Sequence, residues 1–323
     1  MKTKVTVFLL IFPLLLPPVH ATDEPLIVTT IGPLDSIVAE AFPGINVVYL
    51  IPPGVDPHQY QLGSEQISLL QKAAVIVTTG GHLPVEKKIA ELHSEGLIKG
   101  RVLLVNDYKR FGFRYAHEYW YGNKVNPHGV WLSPENAIAI VEATAKALSA
   151  VNPEMANVYS SEAKRFRCKV EAVEKTLRAA VRERNVTAVV EMPPDQYALE
   201  WLGIKVVAAI KPEEEVPALP PDKLAPRVKG VNLVIYGTSS PPNLINASKT
   251  LAQTLGVSST NVTIFWSGKN YTTVLISNGV SVLRALKMKT VIERSGSLNE
   301  RYIFISLLVG LSLGVVIGML MGW

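Results

Sequence analysis

Residues 26–60 read LIVTTIGPLDSIVAEAFPGINVVYLIPPGVDPHQY, and the order of apolar runs within them decides the fold. Residues 26–30 are a short β-branched run, which predicts a strand. Residues 33–42 begin with proline in a first helical turn and predict a helix. Residues 47–51 predict a second strand. Strand, helix and strand in this order call for a parallel pair joined by a crossover.

The same alternation continues outward. A helix is predicted over 64–72, capped by Ser64, and a third strand over 74–79, ending at Gly80-Gly81. A helix over 85–93 and a fourth strand over 102–105 follow. Residues 111–121 then form an aromatic-rich loop with Phe113, Tyr115, His117, Tyr119 and Trp120, and with no predicted structure of its own. Ser133-Pro134-Glu135 opens a helix with a capping hydroxyl, an early proline and an early acid. Asn152-Pro153-Glu154 opens the next. Phe166, Val170, Val173, Leu177 and Val181 give that helix one apolar face to about Arg184, a length of roughly 45 Å. Strands are predicted again over 187–190, 205–210, 231–236 and 262–265. Helices lie between them at 195–202, 222–228 and 243–255, and a last one covers 271–287. The predicted fold class is α/β: two Rossmann-like lobes with parallel sheets, joined by a long rigid helix. The lobes span 22–133 and 185–288, with linking helices over 134–184.

Both ends of the 323-residue chain read as targeting segments. Lys2 and Lys4, the apolar run 5–16 and Val19-His20-Ala21 form a secretory signal over 1–21, with cleavage expected after Ala21. An uncleaved N-terminal anchor is the alternative. Residues 302–322 carry no charge and are long enough for a transmembrane helix, ending beside Trp323; a buried soluble helix is the alternative. Residues 289–301 are the tether. Gly310, Gly314, Gly318 and Gly322 fall on one face of that span, a stripe where another helix can pack. The expected location is the cell membrane, facing outward, held by one C-terminal span.

Other features limit the function. The net charge is +5 and no Lys/Arg cluster is dense enough for nucleic acid. Cys168 stands alone, so no internal disulfide forms, and no cysteine near the cleavage site offers a lipid attachment point. Asn185, Asn246, Asn261 and Asn270 head N-x-S/T sequons, candidate glycan sites on an exported chain.

Two motifs carry chemistry. Pro52-Pro53-Gly54-Val55-Asp56-Pro57-His58-Gln59-Tyr60 follows a strand, at the end of a parallel sheet where ligands bind. Asn126-Pro127-His128-Gly129-Val130-Trp131 precedes a helix. Each presents a histidine directly after proline, whose fixed φ helps hold the imidazole in place. Imidazole suits transition metals, although taken alone either histidine reads first as a structural residue capping a turn.

These stretches, with Leu132-Ser133-Pro134-Glu135-Asn136, Asn152-Pro153-Glu154 before Tyr159, and Pro212-Glu213-Glu214-Glu215-Val216-Pro217, resemble the TroA-like zinc and manganese receptors of ABC importers. The resemblance covers residues 26–288. It implies metal held between two α/β lobes, with His58 and His128 as first-lobe ligands. The second-lobe ligand maps to Glu191 in Val189-Val190-Glu191-Met192, compatible with zinc, manganese or iron. The partner implied is an ABC transporter permease in the same membrane.

The pattern also breaks. Ser267 stands near the usual aspartate, and Tyr236-Gly237-Thr238-Ser239-Ser240 replaces a segment that commonly carries glutamate. Water, both oxygens of Glu191, or Asp195 could complete the shell. His117 is read as part of an aromatic packing loop, His82 as a helix-start residue that could face the cleft, and His93 as a helix-surface residue. The function expected is capture of a divalent transition metal, zinc or manganese, and its delivery to the permease. No nucleophile elbow, His-Glu-x-x-His run or phosphate loop points to an enzyme. The alternatives are the same fold with a degenerate site, serving adhesion or another ligand, and a secreted metallohydrolase.

Overall fold

A computed structural model describes residues 24–181, 185–213 and 216–293, with 288–293 described in backbone only. The predicted signal 1–21, the span 302–322 with its glycine stripe, and most of the tether lie outside the described residues. Among the described residues, no helix is long and apolar enough to cross a membrane.

The opening stretch folds as read. β1 (Ile27–Ile31) runs straight into α1 (Gly32–Ala41), which returns the chain to β2 (Val47–Ile51). Next come α2 (Ser64–Lys72), β3 (Val75–Val77), α3 (Pro84–Ser94), β4 (Arg101–Leu103) and the short α4 (Val105–Lys109). The strands pair in parallel in the order β2-β1-β3-β4. β1 and β3 are fully buried, as the strands at the centre of a sheet covered on both faces must be.

The aromatic loop has structure of its own, contrary to expectation. β5 (Ala116–Glu118) and β6 (Lys124–Asn126) pair antiparallel. Gly122 and Asn123 both take left-handed φ values, 67° and 56°, which turn the chain back on itself.

α5 (Pro134–Val151) starts at Ser133, whose hydroxyl accepts the Asn136 N–H at 3.3 Å. After a 3-10 turn at Pro153–Met155, α6 (Ala156–Ala180) runs 25 residues, about 38 Å. The second lobe follows: β7 (Thr187–Val190), α7 (Gln196–Leu199), β8 (Lys205–Ala209), α8 (Pro221–Leu224), β9 (Leu233–Gly237), α9 (Pro242–Leu255), β10 (Ser258–Val262) and α10 (Tyr271–Glu293). Its sheet is also parallel, in the order β10-β9-β7-β8. Counted within its own lobe, that is the order of the first sheet again. The last strand lies earlier than the predicted 262–265. Its residues Ser258-Ser259-Thr260-Asn261 are polar because β10 is an edge strand, where an apolar pattern is not needed.

α6 is not the only joint between the lobes. Glu40 on α1 accepts from Thr272 N at 2.9 Å, Thr272 Oγ1 at 2.5 Å and Lys169 Nζ at 2.6 Å, which ties α1, α10 and α6 together. One hydrophobic core runs from Ile27 and Leu34 through Leu148 and Phe166 to Leu202 and Val282, with a smaller cluster around Val189, Val234 and Leu251. The lobes approach closely at two glycines. A Cβ on Gly32 would lie 2.6 Å from the Trp266 carbonyl oxygen, and one on Gly129 would lie 2.7 Å from Pro194 Cα.

Candidate metal centre

In each sheet the strand order reverses beside the lobe's first strand, and ligands of open α/β sheets collect at the carboxyl ends there. A cavity of about 220 Å³ lies between the two reversal points. Its wall includes Asp56, His58, His82, His128 and Trp131 from the first lobe. Met192, Pro194, Asp195, Gly237, Ser240 and Phe265 come from the second.

One local device places both predicted histidines. Asp56 Oδ1 accepts the His58 N–H at 2.9 Å, and Asn126 Oδ1 accepts the His128 N–H at 2.9 Å. An acceptor two residues before each histidine folds Asp56-Pro57-His58 and Asn126-Pro127-His128 into the same Asx turn, with proline fixing the middle φ. Asn126 also donates from Nδ2 to the Pro193 carbonyl and to Gln196 Oε1, both at 2.9 Å. The turn carrying His128 is therefore bonded directly to the second lobe.

The structure adds His82 to this pair. Gly80 and Gly81, with φ of 125° and 94°, swing the chain off the end of β3 just before it. The ring centres of His58 and His128 are 5.4 Å apart, those of His82 and His128 are 5.3 Å apart, and those of His58 and His82 are 6.3 Å apart. Three imidazoles bound to one tetrahedral ion at about 2.0 Å would have ring centres about 5 Å apart. The observed triangle is slightly wider than that. Among the described residues, no three His, Cys, Asp or Glu side chains are arranged to hold an ion as they stand, so the rings must turn inward to share one. Burial, reinforced by the neighbouring His128, His58 and Lys87, pushes the pKa of His82 down to about 3. At neutral pH that ring is neutral, the form that binds metal.

Glu191 lies just beyond the end of β7 and is fully buried. Its Oε2 accepts the Gly237 N–H at 3.3 Å, and burial pushes its pKa up, against hydrogen bonds from Ser240 and Gly237. Its Oε1 has no hydrogen-bond partner among the described residues. Glu191 sits behind the cavity wall formed by Gly237 and Ser240 and does not itself line it. Asp195, which does line it, accepts the Met192 N–H at 3.1 Å, and its pKa is raised by burial and then by Glu191. Ser267 is not in the wall; its Cβ faces the α carbon side of Gly32, 3.4 Å from where a Cβ there would stand.

The hairpin β5–β6 forms a strap bonded to the second lobe. Tyr197 Oη donates to the Asn126 carbonyl at 2.5 Å and accepts the Ala116 N–H at 2.8 Å. Gln196 donates to the His117 carbonyl at 3.0 Å. Glu213 in the second lobe pairs with Lys124 and accepts from Tyr121 Oη at 3.2 Å. His117 stacks on Tyr119 with ring centres 6.1 Å apart, consistent with a packing role, and His93 contacts the Ile98 carbonyl at 3.0 Å beside its own helix. Sequence reasoning left His82 at a helix start because a single histidine after two glycines carries no spacing signal.

The family model described as ZnuA, "Zinc-uptake complex component A periplasmic", matches residues 27–279. The zinc-binding lipoprotein AdcA of Streptococcus pneumoniae is 27% identical over 291 residues, covering 82% of this chain and 55% of that protein. The chain thus spans about half the length of the curated relative it matches. Among solved structures, the Mn2+ complex of the SBP FpvC from Pseudomonas aeruginosa superposes with a TM-score of 0.66 at 22% identity, covering 82% of this chain and 99% of that one. The Mn-bound periplasmic metal binding protein of Candidatus Liberibacter asiaticus gives 0.67 at 19% identity, over 81% and 100%. At these identities the structural likeness concerns the fold.

Proposed function

Because this chain belongs to the zinc-uptake complex component A family, we propose that it is an outward-facing receptor that captures one divalent transition metal, zinc or manganese, between its lobes. It hands the ion to an ABC importer permease in the same membrane and is not an enzyme. His58 and His128 bind from the first lobe and Glu191 from the second. The observation that carries this reading is the pair of imidazoles 5.4 Å apart on one cavity wall. Behind the second-lobe wall lies a buried carboxylate whose Oε1 has no hydrogen-bond partner among the described residues. Binding through Glu191 requires its side chain to turn past Gly237 and Ser240, with Asp195 or water completing the shell. Two histidines held by matched turns argue against the degenerate-site alternative, because a site without selection for metal has no use for that duplication.

In this reading residues 1–21 direct export, the lobes occupy 22–133 and 185–288 about the linking helices 134–184, and 302–322 hold the receptor at the membrane through the tether 289–301. The face with Gly310, Gly314, Gly318 and Gly322 packs against a permease helix. Asn185, Asn246, Asn261 and Asn270 are all exposed, as glycan attachment requires. The test is radioactive zinc and manganese uptake by cells lacking the receptor. Uptake should fall at low external metal and return with the intact chain, but not with a chain ending before Tyr302. Unchanged uptake in the deletion strain would overturn the proposal.

A further inference from the structure

We propose that His82 is a third metal ligand from the first lobe, so that the ion is held by three imidazoles with Glu191 opposite, and that zinc is preferred over manganese for this reason. The inference rests on the reading of the cleft as a metal site and assigns a ligand that neither the Pro-His motifs nor the second-lobe carboxylate supplies.

His82 is 5.3 Å from His128 and 6.3 Å from His58, ring centre to ring centre, and lines the same cavity. All three rings stand on loops at the carboxyl ends of first-lobe strands or just after the hairpin, so one rigid lobe carries them.

Glu86, fully buried, decides which nitrogen of His82 carries the proton, because it accepts four hydrogen bonds from Thr30, Thr79 and Gly81. Oε1 accepts from Thr79 N at 2.6 Å and Thr30 Oγ1 at 2.7 Å, while Oε2 accepts from Gly81 N at 3.0 Å and Thr79 Oγ1 at 2.8 Å. A hydroxyl has one proton, and Thr79 gives its own to Glu86. Toward His82 Nδ1, 3.0 Å away, Thr79 Oγ1 can therefore only accept. His82, a residue of the cavity wall, is then protonated on Nδ1, and its Nε2 keeps a lone pair on the side of the ring away from Thr79. A carboxylate that fixes the tautomer of an imidazole is the usual outer support of a histidine ligand; here it acts through one hydroxyl.

Ser267 supplies no carboxylate, and it lies outside the cavity wall. With His82 the shell still reaches four protein donors without it. Three neutral imidazoles and one carboxylate match the donor preference of zinc and nickel, whereas manganese favours oxygen.

The test uses the full chain in detergent, loaded with zinc. X-ray absorption at the zinc edge counts bound imidazoles, and competition titrations give affinities for zinc and for manganese. His82→Ala should lower the imidazole count from three to two. It should weaken zinc by more than the about 10–100-fold expected of an outer-shell partner and cut the zinc-to-manganese preference by about tenfold or more. His82→Gln, which retains a hydrogen-bonding group for Thr79, serves if the alanine variant fails to fold; unliganded melting curves matching wild type establish folding for either. His58→Ala is the control for the cleft itself. If it loses zinc while the folded His82 variants keep the wild-type count, affinity and preference, the role of His82 is refuted and the metal site stands. If His58→Ala also binds as wild type does, the cleft reading falls and this inference with it.

Discussion

Gly237 donates its backbone N–H to Glu191 Oε2 at 3.3 Å, across the point where the second sheet reverses its strand order. The bond holds a buried carboxylate at the carboxyl ends of β7 and β9, behind the second-lobe wall of the cavity. Nothing among the described residues bonds the other oxygen, Oε1.

Glu191→Gln separates the cost of this carboxylate from its use. Burial raises the pKa of Glu191, so its proton is held more tightly in the folded protein than in the unfolded chain. Its contribution is most favourable at acid pH and is lost as pH rises through the shifted value. At neutral pH the unliganded glutamine variant should therefore melt at the same temperature as wild type or higher. Its zinc affinity should fall at least about tenfold, since the charge opposite the imidazoles is gone. Calorimetric melting and zinc titration on the same samples check both signs.

Gly129→Ala probes the contact between lobes beside His128. Gly129 has φ of 83°, and an added Cβ would lie 2.7 Å from both Pro194 Cα and the Pro194 carbonyl oxygen. The left-handed conformation alone costs an L-residue about 1–2 kcal/mol, and backbone of the other lobe cannot swing aside as a side chain would. The variant should lose about 2 kcal/mol or more of stability in a denaturant titration, and zinc should dissociate faster in a stopped-flow chelator assay.

Tyr197→Phe cuts the strap without changing its packing. The lost hydroxyl leaves the Asn126 carbonyl and the Ala116 N–H without their partner. Buried unsatisfied groups cost about 1–3 kcal/mol. Because Asn126 also positions His128, zinc affinity should fall a few-fold together with stability. Hydrogen exchange at Ala116 should quicken, measured by mass spectrometry.

Glu118 makes the strap sensitive to pH. Burial, then Glu213, raises its pKa from 4.5 to about 7, against the pull of Lys124. A raised carboxyl pKa stabilises the fold below about 4.5 and loses that contribution as pH rises through about 7. The melting temperature should fall between pH 5 and pH 8, and Glu118→Gln should flatten that fall. A melting series across that range reads the difference directly.

Much of the fold was legible because β-branched residues favour strands. The runs at Ile27–Ile31, Val47–Ile51 and Thr187–Val190 read as strands for that reason. β10 was misplaced because an edge strand can be polar, and the hairpin was missed because its turn lies at Gly122-Asn123 within an aromatic run. His58 and His128 were legible through proline and the Asx residue before it. His82 was legible only as a helix-start residue that could face the cleft, because its place there comes from two left-handed glycines and a threonine–glutamate pair that the fold brings together. Ser267, where the usual aspartate is missing, lies beside Gly32 and is not in the cavity wall.

The central claim is that one ion is held through His58 and His128. Isothermal titration of the full chain with zinc, beside His58→Ala and His128→Ala, tests it most directly. The account predicts one ion per wild-type chain and at least about 100-fold weaker binding in each variant, both keeping the wild-type fold by circular dichroism. Wild-type stoichiometry and affinity in both variants would contradict it.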